Sequence, residues 1–238
     1  MPQSEEHVVI IGNGIAGITS ARHIRMFSKK RITVISGENE HFFARTALMY
    51  VYMGQMTWEN IVPYEEWFWK ENRIELKKAW VREIDTHSKS VHFEEGSSLK
   101  YDKLIVATGA LPRSLGCVGE DLPGVQGLVT KQDLELLEEN TRNCKKAVIV
   151  GGGLIGVELA EMLRSRGIEV SMLIREEAFW RNVLPVEDAQ FISQYLKSHN
   201  INLLVNTELE KIEKDSNGRA CGVKTKSGRE ISCDLVAI

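Results

Sequence analysis

The chain has 238 residues, 43% of them hydrophobic and 26% charged, and a formal net charge of −3. That length allows one large or two small domains with a substantial core, and the slightly acidic balance excludes the basic stripe of an electrostatic nucleic-acid binder. The opening Met-Pro-Gln-Ser-Glu-Glu has no basic run and the apolar stretch after it is too short to cross a bilayer, so no secretory leader or membrane span is expected and the setting is cytoplasmic.

His7–Ile11 reads as an apolar strand running directly into Gly12-Asn13-Gly14-Ile15-Ala16-Gly17. Ile15, Ile18, Ala21, Ile24 and Phe27 then recur every three or four residues, as on a helix, before a second strand at Ile32–Ile35. Apolar strands alternating with helices indicate a parallel sheet buried on both faces. The basic runs Lys29-Lys30-Arg31 and Lys77-Lys78 read as solvated turns. The aromatic stretch around Trp58, Tyr64, Trp67, Phe68 and Trp69 reads as a packed connecting helix, with the wall of a ligand cavity as the alternative. Ile74–Val81, Val91–Phe93 and Leu104–Val106 follow as short strands, with Glu94–Ser98 as a hairpin turn between two of them.

Leu111–Gly124 is dense in Gly and Pro and reads as a linker, after which the opening pattern returns. Ala147–Val150 is a strand, Gly151-Gly152-Gly153-Leu154-Ile155-Gly156 a glycine turn, and Leu159, Ala160, Met162 and Leu163 line a helix. Val170–Ile174, a helix over Glu187–His199 and a strand at Ile201–Val205 complete the second unit. The chain closes on Asp234–Ile238, the pattern of a central strand, which leads to the expectation that a further segment follows in the complete protein. Cys117, Cys144, Cys221 and Cys233 contain no C-x-x-C pair and are expected to be buried, unreactive thiols. The six histidines form no metal or triad constellation, so no metal ligand and no catalytic acid or base is nominated.

Both glycine turns fit G-x-G-x-x-G, through Gly12, Gly14 and Gly17 and through Gly151, Gly153 and Gly156. The first glycine makes the tight turn, the second lets backbone approach a pyrophosphate, and the third allows close strand–helix contact. Each turn sits between an apolar strand and a helix, the context in which the motif signifies a dinucleotide site; Ile15, Ala16 and Leu154 flank the proposed phosphate positions. About 20 residues beyond each third glycine stands a carboxylate, Glu38 and Glu176, placed to accept from a ribose 2′-hydroxyl. Arg175 beside the second would suit a 2′-phosphate, which leaves NADH and NADPH both open.

Three stretches, Val8–Gly17, Tyr101–Ala110 and Val148–Glu161, resemble the FAD-dependent pyridine nucleotide-disulphide oxidoreductases, which bind FAD and NAD(P)H in two separate units. The resemblance implies an α/β fold of two Rossmann-like three-layer domains: an FAD-binding domain over 1–115, incomplete at its C-terminus, and an NAD(P)H-binding domain over 116–238. It places Ala107, Thr108 and Gly109 near the flavin nucleotide, the Val81 backbone at the adenine of FAD, and Ile155 and Glu158, near the start of the second helix, at the nicotinamide. It further implies hydride transfer from NAD(P)H to FAD, an external acceptor that could be a redox protein, and a homo-oligomer in the complete protein.

Many members relay electrons through a cysteine beside the flavin, in a Phe-x-x-Cys segment. The matching stretch here is Phe43-Ala44-Arg45-Thr46, with a hydroxyl that cannot form the disulfide or thiolate that chemistry requires. Arg45–Gly54 instead resembles the branch that reduces rubredoxin, ferredoxin or a nitrite reductase, in which Arg45 would contact FAD and Thr46 approach the flavin ring. A flavoprotein that senses NAD(P)H, or an electron-transfer module of a larger complex, is the alternative function.

Overall fold

The computed structural model describes residues 6–238; the opening residues, read above as lacking a leader, lie outside them apart from Glu6. The chain forms two compact units, one running to Leu48 and resuming over Met56–Leu111, the other made of Met49–Gln55 and Pro112–Ile238.

In the first unit, β1 (His7–Ile11), α1 (Ile15–Phe27) and β2 (Arg31–Ser36) lie where the periodicity put them. A 3-10 turn at Arg45–Ala47 leads into the short α2 (Leu48–Tyr52), and α3 (Glu66–Glu71) precedes β3 (Ile74–Lys78). The antiparallel strands β4 (Val81–Asp85), β5 (Ser90–Phe93) and β6 (Ser98–Lys100) come next, then β7 (Lys103–Val106). The main sheet is parallel, in the order β3-β2-β1-β7. Alternation along β1 divides its side chains between two cores. Val8 and Ile10 pack with Ile18 and Ala21 of α1 and Trp69 of α3, whereas Val9 and Ile11 meet Val91 and Phe93 of the antiparallel sheet. The result is three layers, helices, parallel sheet and antiparallel sheet.

Three readings are corrected in this unit. Ile15 and Phe27 belong to the helical spacing yet are 72% and 82% exposed, because the core-facing stripe is carried by Gly17, Ile18 and Ala21. Lys77 and Lys78 end β3 rather than forming a turn, and Arg31 opens β2. The hairpin at Glu94–Ser97 joins β5 to β6, a strand that was not anticipated. The aromatic stretch is packing: Tyr64, Phe68 and Trp69 form a ring cluster with centroids 4.5–5.4 Å apart, built against the helix-side core.

The second unit repeats the plan with β8 (Val125–Gln126), α4 (Lys131–Thr141), β9 (Lys146–Val150), α5 (Leu154–Ser165), β10 (Glu169–Leu173), α6 (Val186–Ser198) and β11 (Ile201–Leu204). The antiparallel β12 (Leu209–Lys214), β13 (Ala220–Thr225) and β14 (Glu230–Ser232) precede β15 (Leu235–Ala237). The parallel sheet has the order β11-β10-β9-β15-β8, so β15 is an interior strand and its three residues are fully buried. Val148 and Val236 face Ile212, Ala220 and Val223 of the antiparallel sheet. Sequence periodicity overlooked α4, although its signal is local: Thr130 accepts from the Asp133 amide and Asp133 accepts from the Thr130 amide, a capping box.

Residues Met49–Gln55 belong to this unit, and Tyr52 anchors them in it. The Tyr52 ring is fully buried, its hydroxyl donates to Thr141 Oγ1 at 3.0 Å, and the Arg166 guanidinium lies 3.5 Å above its centroid. Arg166 also donates to the Tyr52 carbonyl and, through both terminal nitrogens, to Glu138. Truncating a buried aromatic ring costs about 3–5 kcal/mol and losing one hydrogen bond about 1. Tyr52→Ala should therefore lower stability to urea by several kcal/mol and Tyr52→Phe by about 1, read as shifts in the unfolding midpoint.

Candidate functional site

The two glycine turns are built alike. Gly12 has φ +108° and Gly151 φ +114°, backbone that L side chains rarely adopt. Their amides donate to Ile35 O at 2.8 Å and Leu173 O at 2.9 Å, tying each turn to the end of the neighbouring strand. A Cβ on Gly17 would stand 1.9 Å from Gly12 O, and one on Gly156 2.6 Å from Gly151 O, so the third glycine lets each helix lie against its turn. Around Gly14 and Gly153 the situation is opposite, with no protein atom within 4 Å of an added Cβ. Nothing inside the protein demands glycine there; a ligand pressed against the backbone would.

Both helices then begin uncapped. Gly14 and Gly153 are the N-caps of α1 and α5, without a side-chain cap and without an acid in the first turn, whereas α3, α4 and α6 each carry at least one acid there. Amides at the positive end of a helix with no internal acceptor suit an anion. Ile15 and Leu154 project outward from these turns, 72% and 66% exposed, Ile155 is 45% exposed, and Ala16 lies on the exposed side of α1. Glu158 falls in the second turn of α5, so the helix dipole does not account for it. Burial, and then repulsion from Glu161, raises its pKa above the ordinary carboxylate value.

Two residues that pattern reasoning passed over complete the turns. Asn13 is buried and its amide donates to Asn39 O at 2.7 Å and Glu40 O at 3.1 Å, pinning the loop that carries Glu38. In the second turn Gly152 does this by contact, since a Cβ would lie 2.8 Å from Ile174 Cγ2 and 3.2 Å from the Phe179 ring, at the start of the loop that carries Glu176. The motif writes both as "x", which hid them.

Glu38 and Arg45 are brought together as a bidentate pair, Nη1 to Oε1 at 3.0 Å and Nη2 to Oε2 at 2.6 Å, with the Glu38 side chain only 14% exposed. A carboxylate so held keeps lone pairs for a second donor. Thr46, next along, is exposed. Ala107 closes β7 onto β1, its amide donating to Ile11 O at 2.7 Å and its carbonyl standing 2.1 Å from where a Gly12 side chain would be. Thr108 and Gly109, the latter at φ +75°, follow it on the surface, and Val81 opens the antiparallel sheet against Phe93. In the second unit Glu176 accepts the Asn206 amide on its carbonyl at 2.9 Å, while the exposed Arg175 is electrostatically coupled to Glu208.

Comparison with known proteins decides the family. The sequence profile of the pyridine nucleotide-disulphide oxidoreductases matches residues 6–238. The chain belongs to that family. It is 29% identical to the nitrite reductase (NAD(P)H) of Bacillus subtilis (strain 168), covering 98% of this chain and 29% of that one. It is also 29% identical to the rubredoxin-NAD(+) reductase of Pseudomonas putida, covering 97% and 60%. Among solved structures, the ferredoxin reductase from Rhodopseudomonas palustris superposes with a TM-score of 0.90 at 26% identity, over 98% of this chain and 58% of that one. The chain thus spans less than two thirds of each relative's length. The expected α/β fold with two Rossmann-like units is the one observed.

The thiols need correction. Only Cys233 is buried; Cys117, Cys144 and Cys221 are partly accessible. Burial first, then the charge of Asp234, pushes Cys144 up to about 11 and Cys233 up to about 12, so both stay protonated at neutral pH. Among the described residues no group of His, Cys, Asp and Glu could hold a metal ion, and no helix is long and apolar enough to cross a membrane.

The raised Glu158 pKa yields a test. A carboxyl whose folded pKa exceeds its unfolded value is held comfortably only when protonated, so the fold loses stability as pH rises through that folded value. Glu158→Gln should therefore melt at a higher temperature than the parent at pH 7–8, and the two melting curves should converge below about pH 4, where an ordinary glutamate is protonated.

Proposed function

We propose that this chain is the dinucleotide-binding part of an FAD-dependent NAD(P)H oxidoreductase, its first unit holding FAD and its second NAD(P)H, with electrons leaving for an external acceptor such as a redox protein. The observation that carries this is the pair of uncapped glycine-turn helices, each with open space at its second glycine and a carboxylate on the next strand's loop. Kinship with reductases named for NAD(+) and NAD(P)H supports it.

When bound, the two cofactors supply hydride transfer from nicotinamide to flavin. The work of the chain is to bind and orient. Amides following Gly12 and Gly14, with Ile15, Ala16 and Gly17, hold the FAD pyrophosphate; those following Gly151 and Gly153, with Leu154, Ile155 and Gly156, hold that of the nicotinamide nucleotide. Glu38 accepts from the adenosine ribose while Arg45, locked to it, offsets phosphate charge; the Val81 backbone faces the adenine. Ala107, Thr108 and Gly109 line the flavin nucleotide and Thr46 the ring. Ile155 and Glu158 face the nicotinamide. Thr46 provides no thiol, so this position would offer no cysteine relay beside the ring.

NADH is the favoured donor. Glu176, followed by Glu177, accepts from a 2′-hydroxyl and repels a 2′-phosphate.

Anaerobic addition of NADH should bleach the oxidised-flavin absorbance of the FAD-loaded protein; a flavin that stays oxidised under both NADH and NADPH defeats the proposal. Because an added Cβ at either position would meet no protein atom within 4 Å, Gly14→Ala should fold normally and lose FAD affinity about 10-fold or more, and Gly153→Ala should do the same for NADH. Glu176→Gln should narrow the NADH over NADPH preference, read from kcat/KM for each, by about 10-fold.

A further inference from the structure

Trp80 lies between β3 and β4 and is 60% exposed, an unusual place to leave an indole. Its backbone is nonetheless fixed by hydrogen bonds. The neighbouring Ala79 amide donates to Ser36 O at 3.0 Å, and the Trp80 carbonyl accepts the Glu94 amide at 3.1 Å, so the backbone is held on both sides. The ring lies on Gly37: a Cβ there would stand 2.2 Å from Trp80 Cδ2 and 2.5 Å from both Cε2 and Cε3. Near-equal distances to three atoms around the fused bond mean that Gly37 meets the ring face-on. Gly37 is glycine because any side chain would displace the indole; its backbone has no positive φ to require it.

The residue after Gly37 is Glu38, the carboxylate at the ribose position, and the residue after Trp80 is Val81, whose backbone is placed at the adenine. An indole backed on one face by the chain and open on the other therefore stands one residue from each of the two groups that handle the adenosine end. We infer that Trp80 is an adenine-stacking shelf of the first unit's dinucleotide site, a positioning contact beyond the glycine turn and its acid. This rests on the assignment of FAD to the first unit. An adenine has a π-face of matching size, and stacking on an exposed aromatic side chain contributes affinity without needing hydrogen-bond partners. The rigid backing by Gly37 lowers the ordering cost that a mobile surface tryptophan would incur on binding.

The experiment is a set of titrations with ADP, FAD and FMN on the parent protein, Trp80→Ala and Trp80→Phe. FMN shares the flavin and a phosphate with FAD but has no adenine. Trp80→Ala should weaken ADP and FAD about 10-fold, within the range measured for loss of one base–aromatic stack, and leave FMN unchanged. Trp80→Phe, still aromatic, should stay within about threefold of the parent for all three. ADP should also quench the part of the tryptophan emission that is missing from Trp80→Phe. Equal ADP and FAD affinities in parent and Trp80→Ala would overturn the shelf, as would an FMN loss in step with theirs. Should Trp80→Ala not fold, the emission difference decides: no ADP quenching of the Trp80 component overturns it. Failure of the full-length parent to bind FAD would instead overturn the assignment of FAD to the first unit, since ADP binding alone can come from the second.

Discussion

The structure depends on one close approach, that of a helix to the turn which precedes it. Gly12 O occupies the volume that a side chain on Gly17 would need, and Gly151 O nearly does so for Gly156. With any larger residue the helix would have to move away from the strand end, and the amides at its start would no longer face the crest of the sheet. Much else follows from that contact. The first glycine must take positive φ for the carbonyl to turn inward, and the strand before it must be buried on both faces to hold the turn against the helix.

A second level of order ties each turn to the loop bearing its carboxylate. In the first unit this is done by hydrogen bonds from the buried Asn13 amide, in the second by van der Waals contact of Gly152 with Ile174 and Phe179. Different chemistry secures the same relation of acid to helix start, which argues that the relation itself is what matters. The Glu38–Arg45 pair extends the principle: two charged groups that would each be mobile alone restrict one another. Charge pairing at a partly buried site is most useful where a ligand must find groups already in place.

The segment after Arg45 shows how continuous sequence can serve two bodies. Arg45 and Thr46 belong to the first unit, yet Met49–Gln55 packs with the second through the buried Tyr52 ring and its contacts with Thr141 and Arg166. The resemblance over Arg45–Gly54 treats the stretch as one run and is silent about where it packs. Tyr52 looks like any aromatic residue in a surface helix until Arg166, far along the chain, is seen above its ring.

What the sequence alone determined is what local covalent geometry enforces. Glycine at turns with positive φ, apolar alternation on doubly covered strands, and an acid at a set distance past the motif are constraints between near neighbours, so they leave a pattern that can be read. The parallel strands other than β8, both glycine-turn helices and the interior strand at Leu235–Ala237 were legible for that reason. Residues set by long-range proximity were not: Asn13 beneath the Glu38 loop, Gly152 against Phe179, Tyr52 under Arg166, and Trp80 on Gly37. Each depends on two stretches meeting only after the sheets have formed, and no spacing rule connects them. Tertiary structure decided these, because packing selects partners by shape and distance in space, whatever their separation along the chain.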